Sequence, residues 1–218
     1  MGHFIMIVDL KVRNLIIIEK SCLPKGALFG IRNRFTKPNP EYHIVKNANF
    51  HTEVAPFIKY YFETDTHVGI PRGSGTWLRH FFNELGAEVN IIDDRVTHPQ
   101  IDVELNYGAV CANGKIFKSL HNYQQAGVDY LIENQQAIFE ADCGGGKTVV
   151  GVAAICALKQ PAIIFVHTGD LAQQWAREMA EKTCGDAKVG LVGLGQFSPR
   201  EITIATVQKV CRLGDKDK

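Results

Sequence analysis

Paired cysteines, long apolar runs and an excess of charge of one sign are all missing from this 218-residue chain. Its six cysteines, at positions 22, 111, 143, 156, 184 and 211, include no C-x-x-C pair and stand near no histidine cluster at zinc-ligand spacing. That argues against a zinc ribbon or a dithiol redox motif, and leads us to expect reduced thiols in a cytoplasmic setting, or a nuclear one if the source is eukaryotic. The longest apolar runs, "NLIIIE" and "AIIFV", are far too short to span a bilayer, and "MGHFIMIVDLK" lacks the basic stretch and long apolar core of a secretory signal. No membrane partner is expected. With 24 basic and 23 acidic residues the net charge is +1, so no global field draws the chain to nucleic acid. Any such partner has to be read locally.

What is present is ordinary for a globular protein of one or two domains, 45% hydrophobic and 22% charged. From about Gly114 onward short apolar runs alternate with amphipathic segments, the pattern of β-α units around a parallel sheet. The spacing predicts a helix through "NYQQAGVDYLIE", a strand at "AIFE", a glycine loop and a helix through "KTVVGVAAICAL". A strand at "AIIFVH", a helix at "DLAQQWAREMAEK" and strands at "KVGLVG" and "EITIAT" follow. The first 110 residues instead suggest strands at "LIIIE", "VGIP", "EVNII" and "IDVEL" with one convincing helix, "GTWLRHFFNEL". In that helix Trp77, Leu78, Phe81, Phe82 and Leu85 make one apolar stripe. Two domains are therefore expected: a small α+β module over 1–112 and an α/β domain over 113–218, joined near the turn signal "ANGK".

The stretch "EADCGGGKTVVG" is the richest in chemistry. A loop that follows a strand and opens a helix aims several backbone N–H groups at one point, at the positive end of the helix dipole. Glycines at 144, 145 and 146 let a phosphate approach the backbone, Lys147 reaches the β and γ phosphates, and the Thr148 hydroxyl is placed to ligate Mg²⁺. This is the Walker A arrangement and implies ATP with Mg²⁺, Lys147 and Thr148 being the catalytic candidates and Thr148 the metal ligand. Ala141 stands where the full pattern has its first glycine. Cys143 in the same loop invites a reading as a reactive thiol, but no histidine is paired with it in sequence, and a small residue tolerated in the loop is the favoured reading.

"ADCGGGKT" resembles the A-x-x-G-x-G-K-T form of superfamily 2 helicases, and further segments fall where that family places its motifs. "LHNYQQAGV" resembles the element whose glutamine reads adenine, which implies that Gln124 contacts the base, although His121 and Asn122 replace the usual Arg-Pro. "IIFVHTGDLAQQW" is similar to motif Ia and implies that Thr168 holds a phosphate of a bound strand. "VGLVGLG" resembles a glycine pair that approaches nucleic acid, here including Gly193. "ITIATVQKV" resembles motif Ic, which gives Thr206 and Gln208 backbone contacts. A threonine after a buried strand is as often a helix cap, and both readings of Thr206 stay open. The order of these elements points to the XPB-like and UvsW-like branch. It implies a partial RecA-like parallel sheet with a P-loop.

Some members of that branch carry an amino-terminal module similar to "NPEY", "IPRG" with its following helix, and "IIDDR" in this chain. The resemblance makes DNA engagement by this module an expectation, with Arg72 of "IPRG" as a contact and Arg79 and Arg95 as companions. Residues 1–40 support it with seven basic against two acidic residues.

A superfamily 2 motor also uses an Asp-Glu element for metal and water, and arginines from a second lobe. After Lys147 the acidic residues are Asp170, Glu178, Glu181, Asp186, Glu201, Asp215 and Asp217, with no Asp-Glu pair after an apolar strand. The expectation is the front part of an ATP-dependent DNA helicase or translocase for branched or damaged duplexes in recombination or repair. The remaining lobe would be supplied in cis or by a partner chain, and this chain alone would lack turnover. The alternative is a non-enzymatic nucleotide- and DNA-binding module that needs a partner. A P-loop kinase fits the loop but not the series of motifs.

Overall fold

The computed structural model describes residues 6–47, 54–111 and 113–214. The chain divides into two compact units, Met1–Thr97 and His98–Lys218.

The first unit runs β1 (Met6–Val12), β2 (Leu15–Glu19), α1 (Ala27–Phe35), β3 (Thr36–Pro38), α2 (Pro40–Asn47), β4 (Phe57–Lys59), β5 (Phe62–Glu63), β6 (His67–Pro71), α3 (Gly75–Glu84) and β7 (Ala87–Asp93). Its main sheet has the order β5-β6-β2-β1-β7, antiparallel except for the β1–β7 pair. Strand alternation explains the core: Val8 and Leu10 on β1, Ile16 and Ile18 on β2, and Val68 and Ile70 on β6 are buried with Ala27 and Ile31 of α1 and Leu78 and Phe82 of α3. The predicted stripe of α3 is thus split. Leu78 and Phe82 reach the core, Trp77 and Phe81 stack at 4.8 Å beside it, and Leu85 is 40% exposed. Gly30 of α1 faces the Phe81 ring, which a Cβ there would approach to 2.5 Å, so glycine permits the close approach of α1 to α3. A separate two-stranded ribbon pairs β3 with β4.

The second unit contains β8 (Glu104–Leu105), α4 (Asn122–Asn134), α5 (Lys147–Leu158), β9 (Ala162–Val166), α6 (Gly169–Lys182), β10 (Thr183–Cys184), β11 (Val189–Gly193), β12 (Gln196–Ser198), β13 (Ile202–Thr206) and α7 (Val207–Gly214). Its main sheet has the order β12-β11-β13-β9, with β11, β13 and β9 parallel and β12 returning as a hairpin. The apolar helix α5 is buried through Val150, Val152, Ala153, Ala154 and Cys156. Gly151 admits the Trp175 indole of α6, which a Cβ there would meet at 2.4 Å. No helix among the described residues is long and apolar enough to cross a membrane. All six thiols are free, and burial pushes that of Cys156 up to about 11.

Two differences from the sequence reading have physical causes. Residues 98–112 were expected with the first domain, yet they lie in the second compact unit. There Val103 is buried in the second core, the Ile101 N–H donates to the Lys159 carbonyl, and β8 pairs with β10. The "NGK" part of that signal lies inside this unit, between Val110 and Ile116, which are joined by a β-bridge, and not at a joint between units. Secondly, Ala137–Glu140, the expected strand before the loop, joins no sheet among the described residues. Phe139 fits against Gly127 of α4, where a Cβ would approach its ring to 2.5 Å, while Ile138 is 95% exposed.

Candidate nucleotide-binding site

The loop from Ala141 to Gly146 bends where its glycines allow it. Gly144 and Gly146 have φ of +81° and +73°, a region that side chains with Cβ enter at a cost, and Gly146 caps α5 from that conformation. The Gly145 N–H donates to the Asp142 carbonyl at 3.0 Å, closing a tight turn. The amides of Lys147, Thr148 and Val149 open α5, where no intrahelical acceptor exists for them, and no acidic residue stands in that first turn to repel an anion. A Cβ at Gly144 would meet open space, so the loop is unobstructed on that side. The Lys147 ammonium folds over the loop and donates to the carbonyls of Ala141 at 2.8 Å and Asp142 at 3.0 Å. Thr148 is half-buried at the second position of the helix.

The start of α4 is fastened to this loop. The Tyr123 hydroxyl donates to the Gly145 carbonyl at 3.0 Å, and Gln124 Nε2 donates to the same oxygen at 3.5 Å. Gln124 is only 5% exposed. Its Oε1 accepts from the His121 N–H at 2.9 Å, so the carboxamide spans from its own helix start to the phosphate loop. A Cβ at Gly146 would come within 2.3 Å of Gln124 Nε2, so a side chain there would push the carboxamide off the loop, beside the strain of the positive φ. Beside the loop, Ile116, Phe117, Lys118, Ser119, His121, Gln124 and Val149 line one pocket, and the His121 and Tyr123 rings lie nearly parallel with centroids 5.7 Å apart. The contribution of Ile116–Ser119 was not read from sequence. The signal was an aliphatic-aromatic-basic triplet just ahead of "LHNYQ", too short to carry a period.

Four other candidate residues gather at the carboxyl ends of the parallel strands, where open α/β sheets bind ligands. Thr168 follows β9 and caps α6, its Oγ1 accepting from the Leu171 N–H at 3.3 Å. Gln208 Nε2 donates to the His167 carbonyl at 2.8 Å, tying the segment after β13 to the one after β9. Gly193 ends β11 with φ +146°, and a Cβ there would lie 2.6 Å from Thr206 Oγ1. Thr206 is 8% exposed, so its hydroxyl lies under the Gly193 backbone rather than at the surface. Arg72 belongs to the first unit, where it opens a 3-10 turn directly after β6.

A family model described as "Type III restriction enzyme, res subunit" matches residues 117–217. The Haloarcula marismortui protein named putative DNA 3'-5' helicase Rad25 is 34% identical over 88 residues, covering 40% of this chain and 14% of that protein. A Mycobacterium tuberculosis protein named DNA 3'-5' helicase XPB is 30% identical over 94 residues, covering 43% of this chain and 17% of that protein. The chain therefore spans less than a fifth of the length of these relatives. Among solved structures, that of T4 UvsW is similar in fold, with a TM-score of 0.65 at 15% identity over 94% of this chain and 44% of that one.

Proposed function

We propose that this chain, whose residues 117–217 are of the superfamily 2 helicase type shared with XPB and UvsW, grips nucleotide and DNA for an ATP-dependent DNA helicase or translocase. Its substrate in this reading is branched or damaged duplex DNA in recombination or repair. The observation that carries it is the loop Gly144–Thr148 opening α5, with Tyr123 and Gln124 both held on the Gly145 carbonyl. The donor set fits a triphosphate with Mg²⁺: free helix amides, an ammonium resting on neutral carbonyls that it can exchange for phosphate oxygens, and a hydroxyl at the second helical position. Lys147 and the amides of Gly144–Thr148 would hold the phosphates and Thr148 the metal. Bound ATP supplies the phosphoryl transfer that drives a motor.

Thr168, Gly193, Thr206 and Gln208 form the DNA-facing group in this reading, Thr206 acting by supporting Gly193 from beneath. The first unit, residues 1–97, is a second DNA-engaging part, Arg72 among its contacts. The remaining helicase lobe acts in cis or comes from a partner chain, in the cytoplasm or, in a eukaryotic source, the nucleus.

A second reading, a nucleotide- and DNA-binding module without catalysis of its own, draws on the placement of the acidic residues after the loop. Asp170 lies in the first turn of α6, Glu178 and Glu181 pair with Lys182, the Asp186 N–H is bound to Asp102, and Glu201 precedes β13. Among the described residues Asp170, in the first turn of the helix after β9, is the one of these carboxylates near the carboxyl end of a parallel strand, and no Asp-Glu pair stands there. Isothermal titration of Mg²⁺·ATP into the chain and into Lys147→Ala tests the shared core of both readings. Binding should weaken at least about tenfold in the variant, since a charge-assisted phosphate contact is lost. Equal affinity in a variant whose circular dichroism is unchanged would remove this site from consideration.

A further inference from the structure

The "NPEY" motif has a structural task that the nucleotide site does not use. Asn39 stands at one end of the β3–β4 ribbon and makes three hydrogen bonds there. Its N–H donates to the Pro56 carbonyl at 2.9 Å, its Nδ2 donates to the Ala55 carbonyl at 2.9 Å, and its Oδ1 accepts from the Glu41 N–H at 3.1 Å at the start of α2. At the other end the Tyr60 N–H donates to the Phe35 carbonyl at 2.8 Å, and the Phe35 ring meets Trp77 edge-on with centroids 5.5 Å apart. Two three-residue strands, marginal by themselves, are thus fixed at both ends.

The register sets what this ribbon presents. Pro38 lies opposite Phe57 and Thr36 opposite Lys59, and residues directly opposite each other, or two apart on one strand, share a face. One face therefore carries Pro38, Phe57, Thr36 and Lys59, while the half-buried Ile58 turns to the other. Phe57 is 57% exposed, and Lys37, Pro38 and Lys59 are exposed as well. Its outward ring adds nothing to the core cluster, which Phe35 joins from the opposite face. Lys37 and Lys59 make no ion pair among the described residues, and neither strand carries an acidic residue. The exposed apolar pair is small: one buried aromatic accounts for about 150–250 Å², far below the roughly 1,200 Å² of a stable protein interface. A single nucleobase matches one ring in size, and the lysines favour a partner that carries phosphates beside its flat apolar groups.

We propose that the β3–β4 ribbon is a base-stacking platform: the Phe57 ring, backed by Pro38, stacks on an unpaired base at a DNA branch, and Lys59 on the same face takes a neighbouring phosphate. The inference rests on the reading of branched DNA as the substrate and assigns the part of the first unit that tells a branch from plain duplex. Every base has a π face, so the platform accepts any unpaired strand without reading its sequence. Bases inside a continuous duplex are already stacked on both sides, which leaves duplex DNA only the phosphate contact.

The test is fluorescence anisotropy of the 218-residue chain with a labelled fork carrying unpaired arms and with a fully paired duplex, over a salt series and without nucleotide. Phe57→Ala should weaken fork binding at least about fivefold, leave duplex binding unchanged and keep both salt slopes, because stacking is lost and charge is not. Phe57→Trp should restore the preference for the fork. Phe57→Leu, apolar but without a π face, should not. Lys59→Ala should weaken fork and duplex alike and lower the salt slope by about 1. Phe29→Ala removes an exposed ring of α1, outside the ribbon, and should leave the fork-to-duplex ratio at the parent's value. Thermal melts of the same variants separate the roles, since a ring that only packs across the ribbon on Pro38 would move stability and not that ratio. A Phe57→Ala chain with the parent's ratio overturns the proposal. If sedimentation then shows that this variant loses a dimer the parent forms, the face is a contact between copies of the chain instead. Restoration by leucine as complete as by tryptophan would overturn stacking in favour of a plain apolar contact. A parent that binds fork and duplex equally removes the platform alone, whereas one that binds neither removes the DNA reading with it.

Discussion

The Tyr123 hydroxyl donates to the Gly145 carbonyl at 3.0 Å, so the first turn of α4 braces the phosphate loop across 22 positions of sequence. The loop offers its N–H groups usefully only if its carbonyls point away from the phosphates, and a donor on the far side fixes that orientation. Tyr123→Phe keeps the ring beside His121 and deletes the donor alone. A neutral hydrogen bond is worth about 0.5–1.5 kcal/mol net. Affinity for Mg²⁺·ATP should therefore fall about threefold to tenfold with little change in thermal stability. Titration showing parent-like affinity would mean that the loop holds its shape without this brace.

Gln124 carries the expected adenine contact, and in the structure its carboxamide bridges the His121 N–H and the Gly145 carbonyl. Burial makes the side chain rigid, so in the proposed reading one group serves both base and loop. Gln124→Ala should erode the preference for adenine over guanine nucleotides and also lower affinity for both, because the loop loses a support. Competition of ATP and GTP for the same site measures the ratio. A parent chain without any such preference would refute the base-reading role.

The glycine loop, α5, α6 and the parallel strands at residues 162–166, 189–193 and 202–206 were legible in the sequence, because period and punctuation there are local. What was not legible depended on distant partners. "AIFE" has the composition of a strand, but strand status requires a ladder, and its apolar residues are divided between Phe139 against Gly127 and Ile138 in solvent. "IDVEL" read as part of the first module because alternation carries no address. Its final two residues pair with Thr183–Cys184, some 80 positions downstream. The same limit hid a cleft at one end of the first unit's sheet: Arg72 was singled out from its motif, but that it lines this cleft with Arg13 and Arg95 follows only from the sheet register.

Glu63 joins α1 to the main sheet of the first unit. Arg32 donates to it from Nε at 3.0 Å and Nη2 at 2.6 Å, and Lys20 lies 2.6 Å from the same carboxylate. The hydrogen bonds from Arg32 and then Lys20 hold its carboxyl well below the usual range, at about 2. A depressed folded-state value means that the stabilisation is complete above the ordinary carboxylate range and is lost as pH falls toward 2. Glu63→Gln should cost about 1–2 kcal/mol near neutrality, allowing for partial exposure of the pair. In denaturant titrations the gap between parent and variant should close as the pH falls from about 4.5 to about 2. A gap that persists unchanged at the acid end would show that shape, not charge, is what Glu63 contributes.

The last prediction concerns turnover. Phosphoryl transfer is catalysed by positioning and charge stabilisation, through a metal-holding carboxylate, a group that orients water, and arginines opposite the phosphate. The carboxyl ends of β9, β11 and β13 present His167–Thr168, Leu194–Gly195 and Val207–Gln208, with no carboxylate among them. The 218-residue chain should therefore bind Mg²⁺·ATP through Lys147 yet hydrolyse it no faster with DNA than without. The outward residues of β9, Ile163 and Phe165, are 63% and 57% exposed, and β9 is the last strand of its sheet among the described residues. An open strand with apolar side chains pairs readily with whatever strand is offered, so the chain should also self-associate, and less so when a polypeptide carrying the remaining lobe is supplied. Light scattering and a DNA-stimulated ATPase assay, each run with and without that polypeptide, measure the two effects together. Lys147-dependent, DNA-stimulated turnover by a monodisperse 218-residue chain would show that its catalytic carboxylates lie among the residues already named, and that the strand ends are the wrong place to look for them.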